Sequence, residues 1–373
     1  MTLTTCHFSL FYTPHPWYNN TNPLEKAVCM SMFSAMLNCL GLDMGSSQVR
    51  IYQRDKVLLE EASTAVVDNI SGQVLGFGTE ALIIYHKEPE NYTLEWPVRN
   101  GVIADYDMTK SMLRFFLNKS LRRSVSRPSL MVAIPAEISS VTRHALVDAL
   151  IHAGAQGVYL IPSPAAAAIG AGRDLQVPSS TLSLVIGRDV SDVGIYGCGG
   201  ILAQEGISFG GHDIDRAICR HIQDRYSMMI GLEQAEKLKS EMLSMTGTGS
   251  DRAFTVRGRR HADGVEVVVE LSVAEMSSVM QRIMEPVLLL IRRVMSRATP
   301  EMADDFLKNG MLLSGGGALL DGLRDWLSES LHMPVTIPAD PASVIAKGCF
   351  AACMMDKDHS LLIENGDKYF GGA

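Results

Sequence analysis

Long hydrophobic runs are missing from this chain. Across its 373 residues no segment approaches the roughly 18 uninterrupted apolar residues that a bilayer-crossing helix needs. A surplus of positive charge is missing too: 33 Lys and Arg stand against 41 Asp and Glu, for a net charge of −8. That balance argues against a broad basic face, so no nucleic-acid partner is expected. Cysteine is sparse, with seven residues at 6, 29, 39, 198, 219, 349 and 353 and no C-x-x-C pair. This scatter supports neither a disulfide framework nor a zinc site, and a reducing cytoplasm is the expected compartment. The start of the chain has no charged stretch followed by an apolar one, so a secretory signal is not expected. Residues 1–31 carry Pro14, Pro16 and Pro23 without periodicity. They read as a disordered leader, or as sequence upstream of a start at Met30, Met32 or Met36.

What is present is an ordinary globular composition, 47% hydrophobic and 20% charged, with length enough for two domains. Strand-like and helix-like runs alternate, which predicts α/β layers. Leu40–Met44 and Val49–Tyr52 read as strands around a turn at Gly45. Leu130–Ile134 is a buried strand closed by Pro135. Helices are predicted over 139–152, 213–226 and 233–243. Ser272 and Glu275 form a capping-box pattern ahead of a long apolar-periodic helix that contains Pro286, a candidate kink.

Two segments share a plan. Residues 40–52 and 182–196 each read as an apolar strand, a Gly-containing polar turn and a second strand, with Asp43 and Val185 in corresponding places 142 residues apart. Two related lobes with hairpin turns facing a shared cleft would produce this, and so would two unrelated hairpins. Paired Gly/Ser turns can hold a phosphate chain, because backbone N–H groups and hydroxyls point inward. Asp43 would then sit near the accompanying metal, through water. A turn without a ligand is the plainer alternative.

A third element is Ser314-Gly-Gly-Gly-Ala318, between a strand and a helix. Each glycine costs roughly 0.5–1 kcal/mol relative to alanine, so three in succession point to a flat group such as adenosine against the backbone. The alternative is a tight strand-to-helix turn. Glu236 and Lys239 lie i, i+3 on one helical face and could reach a ribose, or simply form a surface ion pair.

The local segments are similar to those of MreB-type bacterial actins. They include Gly101-Val-Ile-Ala-Asp105, Val132-Ala-Ile-Pro135, His152–Ile161, Pro164–Gly170, Gly210-Gly211 with Asp215, Ala235–Lys239, Ser314–Leu320, and Asp340-Pro341 with Ala346-Lys347-Gly348. The similarity runs from about residue 38 to about residue 355. It implies two actin-like (ribonuclease H-like) α/β lobes flanking a nucleotide cleft. The first covers 38–177 plus 341–362 and the second 178–340, with a disordered or amphipathic leader over 1–37 and a tail over 363–373. It implies contacts to ATP from Asp43, Gly45, Ser46, Ser47, Gln48, Gly187, Arg188, Asp189, Glu236, Lys237, Lys239, Gly315, Gly316, Gly317 and Ala318, with Mg2+ beside Asp43. It also implies head-to-tail self-assembly into membrane-associated filaments that determine bacterial cell shape, with other MreB-type proteins and wall-synthesis machinery as candidate partners.

The departures from that family cluster at the chemistry. Its second phosphate loop opens with Asp and runs through three glycines and two threonines. Here the corresponding residues are Val185, Gly187, Arg188, Asp189, Val190 and Ser191. The family's water-orienting Glu is Ser163, the Glu before it is Pro162, and the Asn of the first loop is Gln48. No catalytic residue is therefore assigned. Hydrolysis is expected to be weak or absent, since losing a water-orienting group commonly costs about 10²–10⁴ in rate. Arg188 could replace part of the metal's charge and weaken the dependence on Mg2+.

For the membrane, Met32, Phe33, Met36 and Leu37 fall on one helical face, and Leu121–Val125 mixes aliphatics with Arg122 and Arg123. A solvated loop is the alternative for the second. Two other functions stay open: a non-hydrolysing paralogue that regulates or co-assembles with an intact MreB, and a metabolic kinase of the same superfamily. The kinase would need a carboxylate base, and the identified cleft segments offer only Asp43 and Asp189.

Overall fold

The computed structural model describes residues 39–121, 127–241, 243–246, 253–355 and 361–369. All of them belong to one compact unit. The proposed leader and most of the Leu121–Val125 loop lie outside the described residues.

Two sheets organise the chain. The first is built from β1 (Cys39–Met44), β2 (Gln48–Gln53), β3 (Lys56–Ala62), β4 (Ser129–Ile134), β5 (Gly157–Pro162) and β11 (Glu364–Asn365), in the order β11-β5-β4-β1-β2-β3. The second holds β6 (Thr181–Ile186), β7 (Ser191–Gly197), β8 (Gly200–Ile207), β9 (Met311–Ser314) and β10 (Val335–Thr336), in the order β8-β7-β6-β9-β10. Each sheet joins an antiparallel three-strand meander to parallel neighbours of its first strand. The central strands β1 and β6 are buried along nearly their whole length, as strands covered on both faces are.

The repeated plan read in the sequence holds residue by residue. Asp43 pairs with Arg50 across the hairpin and with Ala133 on the parallel side, and Val185 pairs with Asp192 and Ser314. Both turns close with the same backbone bond: Gly45 N–H donates to Gln48 C=O at 3.0 Å, and Gly187 N–H to Val190 C=O at 2.8 Å.

Parallel strands need long crossovers, and helices supply them. Around the first sheet run α1 (Thr79–Lys87), α2 (Tyr106–Ser120), α3 (Ser140–Ala153) and α4 (Ser163–Gly170). Around the second run α5 (Gly211–Tyr226), α6 (Leu232–Glu241), α7 (Val273–Met295), α8 (Pro300–Asn309) and α9 (Leu323–Leu331), and α10 (Val344–Ala352) follows β10. The Ser272 hydroxyl caps α7 by accepting from Glu275 N–H at 3.2 Å, and the helix continues through Pro286. One apolar core fills each lobe, and a third, including Met131, Ala165–Ala168, Val185, Tyr196 and Val344, joins them. There α4 and α10 cross in backbone contact: a Cβ on Gly170 would meet Val344 C=O, and one on Gly348 would meet Ala166 C=O.

Two expectations need correction. The tail over 363–373 is built into the first lobe as far as Tyr369, because β11 pairs with β5 and the Glu364 carboxylate bonds Arg143 at 2.7 Å. The cysteines do form a crosslink, Cys39–Cys353, from the start of β1 to the residue after α10. The two are 314 residues apart, so no local spacing marks them.

Candidate functional site

The first hairpin turn leaves β1 at Asp43, whose burial pushes its pKa up to about 6 although the Arg50 guanidinium pulls it down. After Gly45, the buried Ser46 hydroxyl accepts from Gly101 N–H at 3.1 Å. Ser47 is exposed, and its carbonyl accepts from Ser63 N–H at 2.9 Å. The Gln48 side chain accepts from Arg50, which also bonds Glu60. Gln48 therefore serves the hairpin itself.

In the second turn, the carbonyls of Gly187 and Arg188 are taken by the start of α5. Gly211 N–H donates to the first at 3.0 Å and His212 N–H to the second at 2.8 Å. The side chains that follow cross to the other lobe. Arg188 Nη1 donates to Ser46 C=O at 3.3 Å, and its guanidinium lies over the Trp96 ring, 5.0 Å from the centroid. Asp189 Oδ2 accepts from Asn100 N–H at 3.1 Å. Deeper between the lobes, Asp192 Oδ1 accepts from Ala136 N–H at 3.1 Å, while Gln204 Nε2 donates to Ala136 C=O at 2.6 Å. Burial pushes the Asp192 carboxyl up to about 7, against the Ala136 hydrogen bond and with the charge of Glu137 adding to the rise.

The receiving residues Asn100 and Gly101 escaped the sequence reading as a site. Both have positive φ, 52° and 69°, in a two-residue turn between Val98–Arg99 and Val102–Ile103. An Asn-Gly pair is the strongest short-range signal for such a turn and could have found it. Nothing local signals that its two N–H groups serve opposite loops.

The glycine run has a mixed explanation. Gly315 sits at φ 82° and a Cβ there would meet Ile186 C=O, while a Cβ on Gly317 would meet the Ile186 side chain. Those two glycines are needed by the packing of β6. Only Gly316 faces open space, and Ala318 behind it is buried. On α6, Lys239 is committed: its ammonium bonds Asp215 and donates to Gly211 C=O at 3.0 Å. Glu236 and Lys237 are exposed. The Glu236–Lys239 spacing therefore marks no mutual ion pair, because Lys239 pairs with Asp215 instead. Ser163 turns its hydroxyl back onto Ile134 C=O at 2.9 Å.

Among the described residues no cluster of three or more His, Cys, Asp or Glu side chains could hold a metal ion. Asp43 would be the first turn's carboxylate for a Mg2+ that came with a nucleotide, whereas Val185, in the corresponding place, offers none. No helix among the described residues is long and apolar enough to cross a membrane.

Two lobes on one strand plan, with turns meeting across their junction, define an actin-like protein. Solved structures agree: MreB5 of Spiroplasma citri, determined with AMPPNP, superposes with a TM-score of 0.76 at 24% identity over 83% of this chain and 94% of that one. The MamK double helical filament gives 0.70 at 15% identity over 85% and 99%. The chain belongs to the MreB/Mbl family, whose model, described as MreB/Mbl protein, matches residues 37–360. Curated relatives include the cell shape-determining protein Mbl of Bacillus subtilis, 30% identical over 311 residues (83% of this chain, 93% of Mbl). The cell shape-determining protein MreB of Escherichia coli K12 is 32% identical over 324 residues (85% and 92%).

Proposed function

We propose that this chain is an ATP-binding cytoskeletal protein that assembles head to tail into filaments on the inner face of the cell membrane. There it contributes to cell shape. The observation that carries the reading is the pair of equivalent hairpin turns meeting across the interlobe junction, with Gly316 open beside them. The relatives' names, and the AMPPNP and ADP in the two MreB5 structures, support it. Adenosine would lie against Gly316, with Glu236 and Lys237 the exposed groups nearest in sequence to a ribose role. Phosphates would meet the turns at 45–48 and 187–189, with Mg2+ beside Asp43.

Hydrolysis is weak or absent in this reading. The Ser163 hydroxyl donates to a backbone carbonyl and offers no carboxylate to draw a proton from water, and Val185 lies in an apolar cluster and cannot share the metal. Arg188 supplies a fixed positive charge at the second turn, which lowers the dependence on Mg2+.

The same features favour a second reading, a non-hydrolysing paralogue that co-assembles with or regulates an intact MreB. Electron microscopy of the purified protein with ATP, with ADP and without nucleotide tests the first reading. Filaments of this protein alone support it. Their absence in all three conditions, with co-sedimentation only alongside an intact MreB, supports the second.

A further inference from the structure

We infer that Arg188 and Asp189 form a built-in strut between the hairpin turns of the two lobes, so that the lobes of this protein close without nucleotide. The inference rests on the cleft being a nucleotide site, as proposed above.

A nucleotide that bridges two lobes brings anionic oxygens for N–H donors and a cation for the remaining charge. Here one dipeptide brings both. The Asp189 carboxylate accepts from Asn100 N–H at 3.1 Å, and the Arg188 guanidinium donates to Ser46 C=O at 3.3 Å. The two side chains lie 3.9 Å apart, so each is partly neutralised by the other.

The strut is anchored at both ends. On its own lobe, the loop backbone is fixed by Gly211 and His212 N–H at the start of α5, and a Cβ on Gly210 would collide with the Arg188 backbone. On the opposite lobe, the Asn100-Gly101 turn presents two successive N–H groups. One goes to Asp189 and the other to Ser46 Oγ, so the residue that receives Arg188 is itself held by the turn that receives Asp189. The Trp96 ring, two residues before Val98, gives Arg188 a face to stack on. The Asp192–Ala136 and Gln204–Ala136 bonds lie behind this layer and support the same lobe contact. Arg188 and Asp189 are positioning residues in this account. They set how far apart the turns stand before any ligand arrives.

Hydrogen–deuterium exchange resolved to single amides tests this on the full chain, in parallel with titration of a fluorescent ATP analogue. Without nucleotide, the Asn100 amide of the unmodified protein should be protected, with little change on adding MgATP. Arg188→Gly with Asp189→Gly should speed its exchange about tenfold or more, and MgATP should restore protection. Asp189→Asn, which keeps an acceptor oxygen, should behave like the parent. An Asn100 amide that is unprotected in the nucleotide-free parent and becomes protected with MgATP overturns the strut, and that arm needs no variant. Unaltered protection in the double variant overturns it as well. Failure of the analogue to bind parent and double variant alike removes the nucleotide reading, while the nucleotide-free exchange still decides whether the strut exists.

Discussion

Asp43 and Val185 occupy the same place in two copies of one hairpin. Each faces a parallel strand on one side and a turn-return strand on the other, two residues ahead of the glycine that closes the turn. One copy keeps a carboxylate and the other carries an isopropyl group in the core between the lobes. In the first copy a carboxyl stands at this place half-buried, its pKa raised to about 6 by desolvation although Arg50, paired across the hairpin, pulls it down. Ser163→Glu with Val185→Asp, Arg188→Gly and Asp189→Gly should therefore fold and raise ATP turnover by about 10² or more. Binding should also become Mg2+-dependent. Phosphate release and a Mg2+ titration measure both, and unchanged turnover in a folded variant would count against the assigned positions.

The three glycines should separate by mechanism. Gly316→Val points a side chain into open space, so its melting temperature should stay near the parent's while the fluorescent ATP analogue no longer binds. Gly317→Val drives a side chain into Ile186 and should cost stability by about 2 kcal/mol or more, with or without ligand. Equal affinity in Gly316→Val and the parent would remove adenosine from this turn.

Asp192 should give the protein an acid-side stability that fades toward neutral pH. Its folded pKa is raised from 3.8 to about 7 by burial, so between those values the native state holds a proton that the unfolded chain has released. Stability then falls as pH rises through this window and levels off above it. Asp192→Asn keeps the oxygen that accepts from Ala136 N–H and carries no charge. It should flatten the slope and stabilise the protein at pH 8 by roughly 1–3 kcal/mol. Denaturant melts at pH 5, 6.5 and 8 measure the slope, and parallel curves for the two proteins would contradict the assignment.

What was legible in the sequence is what local patterns encode. The strands at β1 and β6 announce themselves as apolar runs ending before glycine, the Ser272 cap by its spacing to Glu275, and α3, α5 and α6 by their periodicity, within two residues at either end. Contacts between distant segments left no such mark. Ser46 and Arg188 meet across 142 residues, and Ala136 and Asp192 across 56. Lys239 found Asp215 on another helix instead of Glu236 one turn away. The glycine run reads from sequence as a ligand surface or a tight turn, and its outer members in fact answer to Ile186, which no spacing rule would pair with them.

Membrane attachment is expected to be peripheral and to depend on two segments. Deleting residues 1–37 and changing Leu121 and Val125 to Ser should together release the protein from vesicles containing anionic lipid. Co-sedimentation of parent and variant compares them directly. Equal binding by the two would assign the contact elsewhere, and no binding by the parent would remove the membrane from the function.

Phosphoryl transfer to water needs the γ-phosphate charge neutralised and a water held in line. Ser163 has no carboxylate to draw a proton from water, its hydroxyl donating to Ile134 C=O, and Val185 has no charge to offer. The decisive measurement is steady-state phosphate release by the purified protein at saturating MgATP, alongside Escherichia coli MreB under the same conditions. ATP should bind, with phosphate release at least about tenfold slower than that of the relative. Release at the relative's rate would show that other residues position water and metal, and would contradict the reading of weak hydrolysis.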